Sequence, residues 1–344
     1  MKILLTVPSF DVPKYKGLAK VSLELYNGLI NKGFDIDVIE VHKQKKNYLK
    51  NLTTVPAKQL LSKADLIHAV TPESGTFLGL IKKFKKVKTI VTFHDLIPLK
   101  LAEELNFKFK KFVWYYTYFM WRNALKTDVV IAVSSQTAED VKNFFGRKVD
   151  YIINPGVDER FRPLDVKKDK ITLGFFANFS YRKGVDKAIE VFKLVKKKVD
   201  CKLILAGGEL QTVYQRQFDV RKLIEGLEDV EVLGYIPDEK VVELYNSFDF
   251  YLLPSVCEGF GIPILEAQAC GVPTLVFSWA QIPEETKAKA VQCKDVKEMA
   301  ERILYLIENR EEYKRVSKEG IEYAKRFSWK NFVEAHIKVY ESLL

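Results

Sequence analysis

The stretch that decides the fold of this chain is Glu258-Gly259-Phe260-Gly261-Ile262-Pro263-Ile264-Leu265-Glu266. It follows an apolar run, residues 248–254, that is typical of a buried parallel strand. Pro263 favours the first turn of a helix, and Gly271 favours the end of that helix. The predicted order is therefore a strand, a tight glycine loop and a helix N-terminus, where backbone N–H groups attract an anion, usually a phosphate.

Two carboxylates flank this predicted anion site. Glu258 lies in the loop, and Glu266 lies one turn into the helix. Because a carboxylate repels a phosphate, we expect both side chains to bind another part of the same ligand. Sugar and ribose hydroxyl groups are the natural partners of such carboxylates. The stretch therefore predicts a site for a sugar that is attached to a phosphate.

Length and composition indicate a globular chain of two domains. The 344 residues are about twice the usual size of one domain, and 47% of them are hydrophobic. Four cysteines without CxxC spacing argue against a zinc site or a disulfide framework and suit a reducing cytosol. No apolar run reaches the length of a membrane span, and the start is too short for a signal peptide, so we expect a cytoplasmic protein.

The positive charge is concentrated in one half of the chain. Residues 1–160 contain 26 Lys and Arg against 16 Asp and Glu, whereas residues 161–344 contain 29 of each kind. A basic half predicts an anionic partner there, such as a phospholipid surface, a lipid-linked phosphate or a nucleic acid. The alternative is a solvated lysine-rich surface without a specific partner.

Strand and helix signals alternate in two rounds, separated by a polar linker over 159–170. Two such rounds predict an α/β protein with two doubly wound domains, residues 1–160 and 161–326, and a ligand site in the cleft between them. A loop containing Gly17 is expected before the first helix. The predicted helices are 19–32, 185–196 and 238–246, and the predicted strands are 3–7, 35–41, 64–68, 88–93, 129–133, 172–176, 202–206, 230–233 and 250–253.

Two further loops at predicted strand ends contain candidate site residues. In 179–184, Arg182 and Lys183 precede a glycine and could clamp a diphosphate, since Arg can donate two hydrogen bonds to one phosphate. A purely structural role is less favoured, because the positive end of a helix dipole disfavours cations. His94 follows another predicted strand, although a lone histidine is more often structural than catalytic. The dinucleotide and P-loop fingerprints are absent from the sequence.

These motifs together resemble a known family. The E-x7-E spacing of Glu258 and Glu266 resembles that of retaining glycosyltransferases with the GT-B fold, and residues 254–273 resemble the large GT4 family. Arg182-Lys183-Gly184 is similar to the family's basic pair, and residues 92–95 are similar to its histidine motif. Residues 327–344 resemble the family's C-terminal helix, which crosses back onto the first domain. The resemblance implies an acceptor-binding first domain and a donor-binding second domain.

The resemblance also implies roles for individual residues. Glu266 would bind the donor ribose and Glu258 the donor sugar, while Lys183 and Arg182 would neutralise the diphosphate. His94 would lie beside the donor sugar, and Gly17 would line the phosphate side of the cleft. The remaining donor-binding residues are Asn178, Tyr235, Ile236, Phe260, Gly261 and Ile262. Asn178 stands where many family members have Arg, and Lys16-Gly17 stands where Gly-Gly is usual.

The implied activity is transfer of a hexose-type sugar from a nucleoside-diphosphate sugar to a glycan, lipid-linked or other acceptor. The resemblance implies retention of anomeric configuration. Because cations and helix N–H groups can stabilise the departing diphosphate, we expect no metal and no cofactor. One alternative is a nucleotide-sugar 2-epimerase on the same fold, but the loop from Glu258 to Glu266 matches transferases better. Another is a non-enzymatic nucleic-acid binder, which leaves the two carboxylates unexplained, so we expect no nucleic-acid partner.

An aromatic and basic segment, residues 107–122, is the candidate acceptor region. On a helix its apolar residues form two faces: Phe112, Tyr116 and Phe119 on one, and Trp114, Tyr118, Trp121 and Leu125 on the other. Two apolar faces favour a second partner, such as an anionic membrane on its cytoplasmic side or a lipid-linked acceptor. The lysines of 82–88 would add electrostatic attraction. The alternative is a helix buried between the sheet and the other domain.

Overall fold

The computed structural model describes residues 1–41, 48–101, 110–208 and 218–343, without the side chains of 12–16, 48–51 and 110. The chain divides into two compact units. The first contains Met1–Ala102, Lys111–Gly156 and Phe327–Leu344, and the second is built on Val157–Arg326. The unit boundaries thus fall after Gly156 and Arg326, where the sequence predicts 160 and 326.

The first unit is a parallel sheet of six strands in the order β2-β1-β3-β4-β5-β6, with Ile3 of β1 opposite Leu66 of β3. Strands β1, β3, β4 and β5 are almost wholly buried, which explains their apolar composition. The strands are β1 (Lys2–Val7), β2 (Asp35–Glu40), β3 (Leu66–Ala69), β4 (Lys88–Phe93), β5 (Val129–Ala132) and β6 (Tyr151–Ile152). The helices are α1 (Val12–Asn31), α2 (Tyr48–Leu61), α3 (Pro72–Gly75), α4 (Leu78–Phe84), α5 (Ile97–Lys100), α6 (Lys110–Ala124) and α7 (Ser135–Phe145).

The second unit is also a six-stranded parallel sheet, in the order β12-β11-β10-β7-β8-β9. The strand order reverses between β7 and β10, where Leu173 lies opposite Phe250. The strands are β7 (Ile171–Phe176), β8 (Cys201–Ala206), β9 (Val230–Gly234), β10 (Phe250–Leu252), β11 (Thr274–Phe277) and β12 (Val291–Cys293). The helices are α8 (Val185–Lys196), α9 (Val220–Leu223), α10 (Val241–Asn246), α11 (Ile262–Ala269), α12 (Glu284–Lys287), α13 (Val296–Glu308) and α14 (Arg310–Ala324).

The predicted loop around Gly17 is wrong. Helix α1 begins at Val12 and includes Gly17, although the sequence predicts a helix only from residue 19. Pro13 occupies the first turn, where its fixed backbone angle suits a helix and its missing N–H costs nothing. The predicted helix 238–246 also differs, because it begins as a 3₁₀ turn over Asp238–Lys240 before α10.

The last helix, α15 (Trp329–Glu341), lies in the first unit. The Ser328 hydroxyl accepts a hydrogen bond from the Asn331 amide at 3.1 Å and so caps its N-terminus. Helix α15 crosses α1 at Gly28, where an added Cβ would overlap with Val333. The close approach of the two helices therefore requires glycine at position 28.

Helix α6 has one buried and one exposed side. Met120, Trp121 and Ala124 belong to the core of the first unit. Phe112 and Phe119 are 70% and 64% exposed, and Tyr115 beside them is also exposed. Residues 107–109 of the candidate acceptor segment lie outside the described residues. Among the helices that the structure describes, none combines the length and apolarity that a bilayer span requires.

Candidate functional site

The loops after β7 and β10 meet at the point where the strand order of the second unit reverses. In doubly wound sheets, ligands bind beyond the carboxyl ends of the strands, at the point where the strand order reverses. After β7, a 3₁₀ turn over Tyr181–Lys183 ends at Gly184, whose φ of 72° is left-handed. A Cβ on Gly184 would overlap with the carbonyl oxygen of Pro254, so the two loops are in direct contact. A side chain at this position would push them apart.

A buried cluster of charges occupies this meeting point. The ammonium group of Lys183 donates to both carboxylate oxygens of Glu258, at 2.7 and 2.8 Å. The Ser255 hydroxyl donates to Glu258 Oε1 at 2.6 Å. Arg182 Nη1 donates to the carbonyl oxygen of Cys257 at 2.6 Å and lies 3.3 Å from Glu258 Oε2. Glu258 is only 7% exposed, so all these contacts are shielded from water.

The electrostatics of the cluster keep Glu258 ionised. Burial alone would raise the pKa of Glu258, but Lys183 and Arg182 outweigh burial and hold that pKa at about 2. Burial, together with the charge of Arg182, lowers the pKa of Lys183, while Glu258 opposes that change. Two cations around one carboxylate leave one positive charge in excess. Such a cluster attracts an anion.

Helix α11 begins beside this cluster. Its N-cap residue, Gly261, has a left-handed φ of 92°, which a glycine adopts without strain. The Thr286 hydroxyl donates to the Phe260 carbonyl oxygen at 2.7 Å and holds the turn. The predicted strand, glycine turn and helix are therefore present, and α11 begins at Ile262, one residue before the predicted start. The positive end of its dipole lies at the same sheet edge as the charge cluster.

Glu266 lies on α11, where its carboxylate contacts the side chain of Tyr245. The Tyr245 hydroxyl donates to Glu266 Oε2 at 2.9 Å. Burial raises the pKa of Tyr251 well above its ordinary value, and both Glu258 and Glu266 add to that increase. The site combines an anion-attracting cluster with a half-buried carboxylate on the adjacent helix.

Comparison with known proteins identifies the family. Residues 157–323 match the family model described as Glycosyl transferases group 1, and residues 42–161 match the model Glycosyltransferase Family 4. The two models together span residues 42–323, so both halves of the chain match glycosyltransferase families. Its resemblance to GT4 enzymes, derived above from sequence motifs, is confirmed.

Individual relatives of this glycosyltransferase chain are distant. The serotype-specific mannosyltransferase WbdA of Escherichia coli is 25% identical over 288 residues, which cover 75% of this chain and 34% of that protein. The chain spans about a third of the length of the curated mannosyltransferases that it matches first.

Two solved structures resemble the whole chain. Sucrose-phosphate synthase from Thermosynechococcus elongatus has a TM-score of 0.79 at 18% identity and covers 100% of this chain and 99% of its own. HepE from Anabaena, in complex with UDP and glucose, has a TM-score of 0.74 at 19% identity and covers 99% of this chain and 100% of its own. The predicted GT-B fold is confirmed.

The other predicted donor-site residues lie near the ends of β7 and β9. Asn178 lies two residues beyond the end of β7, and its carbonyl oxygen accepts from the Ser180 amide at 2.8 Å. Tyr235, which is exposed, and Ile236, which is half-buried, follow β9 at the sheet edge. The structure brings Arg182, Lys183 and Glu258 into direct contact, whereas Tyr235 and Ile236 follow a strand that β8 separates from β7.

His94 and Gly17 belong to the first unit of the glycosyltransferase chain. His94 follows β4 and is half-buried, with Nε2 2.8 Å from the carbonyl oxygen of Val70. Because a carbonyl oxygen only accepts, His94 Nε2 carries a proton. Gly17 is exposed on α1, and a Cβ there would meet no described atom within 4 Å.

Two residues of the site have no predicted role in the sequence. Ser255 stands within the motif that resembles the family, but its hydrogen bond to Glu258 emerges only from the loop geometry. Tyr245 lies in a different helix from Glu266, and no local pattern links them. Within the described ranges, no three His, Cys, Asp or Glu side chains are grouped as a metal site would require. The four cysteines are buried thiols without disulfides.

Proposed function

We propose that the chain transfers a hexose-type sugar from a nucleoside-diphosphate sugar to a glycan, lipid-linked or other acceptor. Transfer proceeds with retention of configuration and without a metal or cofactor. The observation that carries this proposal is the buried cluster of Lys183, Arg182 and Glu258, with its excess positive charge, beside the N-terminus of α11. The matches to two glycosyltransferase family models and the names of the relatives support the reaction class.

The cluster suits departure of a diphosphate. As the bond between sugar and diphosphate breaks, negative charge grows on the leaving oxygen. Cations and helix N–H groups already aimed at that place stabilise the charge without reorganising. Lys183 can share its three N–H donors between Glu258 and a phosphate oxygen. Glu258 then keeps oxygen lone pairs for a hydroxyl group of the donor sugar.

The remaining residues in this proposal bind different parts of the donor. Glu266 accepts hydrogen bonds from the ribose hydroxyls, and the amides of Phe260, Gly261 and Ile262 bind the distal phosphate. Tyr235 and Ile236 border the base, and Asn178 lies at the diphosphate. For His94, beside the donor sugar, and Gly17, on the phosphate side, the roles stay those that the family resemblance implies. The complexes of HepE with UDP and with UDP-glucose support a nucleoside-diphosphate donor.

The exposed side of α6 supports peripheral contact of the first unit with an anionic membrane that holds the acceptor. Phe112, Tyr115 and Phe119 present aromatic rings to solvent, as interfacial helices do. Lys111 and Arg122 on the same helix are also exposed, so the surface combines apolar and cationic groups. A vesicle of phosphatidylglycerol should bind the chain more tightly than one of phosphatidylcholine. Phe112→Ser with Phe119→Ser should weaken binding, whereas Tyr305→Ser, an exposed aromatic in the second unit, should not.

The donor is tested by thermal shift with UDP, GDP, ADP and their sugars, because a ligand of the folded state raises the melting temperature. Labelled donor that stabilises the chain is then incubated with and without acceptor and with EDTA. We expect transfer or slow hydrolysis that survives EDTA and is abolished by Glu258→Gln, but not by Glu301→Gln on an exposed helix surface. No binding of any nucleoside diphosphate would overturn the proposal, and acceptor-independent conversion of the donor to its 2-epimer would replace it.

A further inference from the structure

Tyr245 contacts Glu266, the carboxylate that the proposed function assigns to the ribose. Tyr245 belongs to α10, and its side chain is fully buried. Its hydroxyl donates to Glu266 Oε2 at 2.9 Å. Glu266 itself is only half-buried. The contact therefore runs from a fully buried donor to a carboxylate that solvent and ligands can reach.

The ring of Tyr245 is held in one orientation by other aromatic rings. Phe161, Phe176, Phe248 and Tyr251 surround it edge-on, with centroid distances between 5.5 and 6.3 Å. The Phe248 ring lies directly over Gly174 of β7, where an added Cβ would overlap with it. Because the ring is closely packed on several sides, it could adopt a second rotamer only by leaving a cavity. The hydroxyl group of Tyr245 is therefore fixed in space.

The direction of the hydrogen bond is also fixed. Burial raises the pKa of Tyr245 well above its ordinary value, and the negative charge of Glu266 adds to that increase. The phenol therefore keeps its proton and acts as the donor to the carboxylate. With one oxygen held by Tyr245, the carboxylate plane cannot rotate freely. A carboxylate of fixed orientation can accept from two neighbouring hydroxyl groups with little further loss of rotational freedom.

We propose that Tyr245 is a positioning residue that orients Glu266 for the vicinal hydroxyl groups of the donor ribose. This inference rests on the proposed function. It adds that the affinity of the site for a ribose depends on a side chain that never touches the ligand. A purely structural Tyr245 would instead change the stability of the second unit without changing which ligands it prefers.

The test compares the binding of two nucleotides, which share one base, to the full chain. The probes are UDP, GDP or ADP, whichever binds the wild-type chain most tightly, and the 2′,3′-dideoxy analogue of that diphosphate. Affinities are measured by calorimetry for the wild type and for Tyr245→Phe, which keeps the ring and removes the hydroxyl. The matched control is Tyr313→Phe, because the Tyr313 hydroxyl in the same unit donates to the main-chain oxygen of Asp249 at 3.2 Å.

We expect Tyr245→Phe to weaken binding of the ribonucleotide about tenfold, the usual effect of a hydrogen bond to a charged group. Binding of the dideoxy analogue should stay within twofold, and Tyr313→Phe should change neither. In a chain that already carries Glu266→Gln, adding Tyr245→Phe should have no further effect on the ratio of the two affinities.

An equal loss for both ligands, or no loss for either, overturns the positioning role while leaving the proposed function intact. If Tyr245→Phe does not fold, the Glu266→Gln variant tests the inference instead. Equal affinities of the wild type and Glu266→Gln for the ribonucleotide would also overturn it. A folded wild-type chain that binds no nucleoside diphosphate overturns the proposed function and this inference together.

Discussion

Each unit of the molecule contains a buried polar cluster that includes titratable side chains, and these two clusters are built in opposite ways. In the first unit, His68 of β3 lies 2.7 Å from the Tyr340 hydroxyl and 2.8 Å from the Thr92 hydroxyl, with the ring of His336 stacked beside it. In the second unit, Lys183 and Arg182 surround Glu258. The first cluster is a network of neutral hydrogen bonds, and the second is an assembly of charges.

The difference follows from what each cluster contacts. Burial lowers the pKa of His68 well below its ordinary value and that of His336 to about 4, and the nearby His94 contributes to both, so these rings are neutral. A neutral network whose donors meet acceptors costs little to bury, and it joins α15 to β3 and β4. The charged cluster has one cation more than it has carboxylates, and such an arrangement attracts an anion. The first unit uses buried polar groups to hold a helix in place, and in the proposed function the second unit uses them to bind a ligand.

The largest expected effect comes from breaking the charged cluster. Lys183→Ala should lower the rate of transfer at saturating donor by roughly a thousandfold, as loss of a preorganised charge at a leaving group does. Lys187→Ala is the matched control, because Lys187 is an exposed lysine four residues further that pairs with Glu190. Rates are compared after circular dichroism has verified folding. A loss of less than tenfold would show that Lys183 does not stabilise the leaving group.

The two clusters should lose their stabilising effect in different pH ranges. The folded pKa of His336, about 4, lies below its ordinary 6.5, so its contribution is present above pH 6.5 and is lost as the pH falls through 4. The folded pKa of Glu258, about 2, lies below 4.5, so its contribution is lost only between about pH 4.5 and 2. Each shift corresponds to about 3 kcal/mol.

Unfolding free energies measured from pH 7 to pH 2 check this separation. His336→Phe should flatten the decline between pH 6.5 and 4, and Glu258→Gln should flatten the decline below pH 4.5. If both variants altered the same range, the assignment of a neutral and a charged cluster would be wrong.

A smaller effect is expected where α15 crosses α1. Gly28→Ala should destabilise the first unit by about 2 kcal/mol, because its Cβ overlaps with the stiff side chain of Val333. Gly17→Ala lies in the same helix with open space around it, so it should stabilise the chain by up to about 1 kcal/mol. Thermal unfolding of the two variants measures the difference. A similar shift in both would mean that α15 does not press against position 28.

Much of the second unit could be predicted because its signals are local. The carboxylate loop, its glycine turn and the following helix lie within residues 258–269, and α8 has the predicted bounds 185–196. Strands β11 and β12 lack a predicted counterpart, since runs of four and three residues carry little periodic signal. The missed start of α1 has a different cause, because the weight given to Gly17 as a loop residue concealed the helix-start signal of Pro13.

The contacts of the clusters could not be predicted from local sequence. Tyr245 and Glu266 are 21 residues apart, and His68 and Tyr340 are 272 residues apart. Which buried phenol meets which acceptor depends on how helices pack against the sheet, and hydrophobic periodicity contains no information on that. The sequence therefore predicts the charged residues of the site more completely than the neutral residues that hold them.

The position of α15 in the first unit has a consequence for the order in which the protein is made. The second unit, Val157–Arg326, is inserted between two parts of the first, so it leaves the ribosome before α15 does. Until then His68 lacks the hydroxyl group of Tyr340, and the face of α1 at Gly28 has no helix against it. The unit that is begun first is thus completed last, and the nascent first unit is the part of the molecule most in need of protection during synthesis.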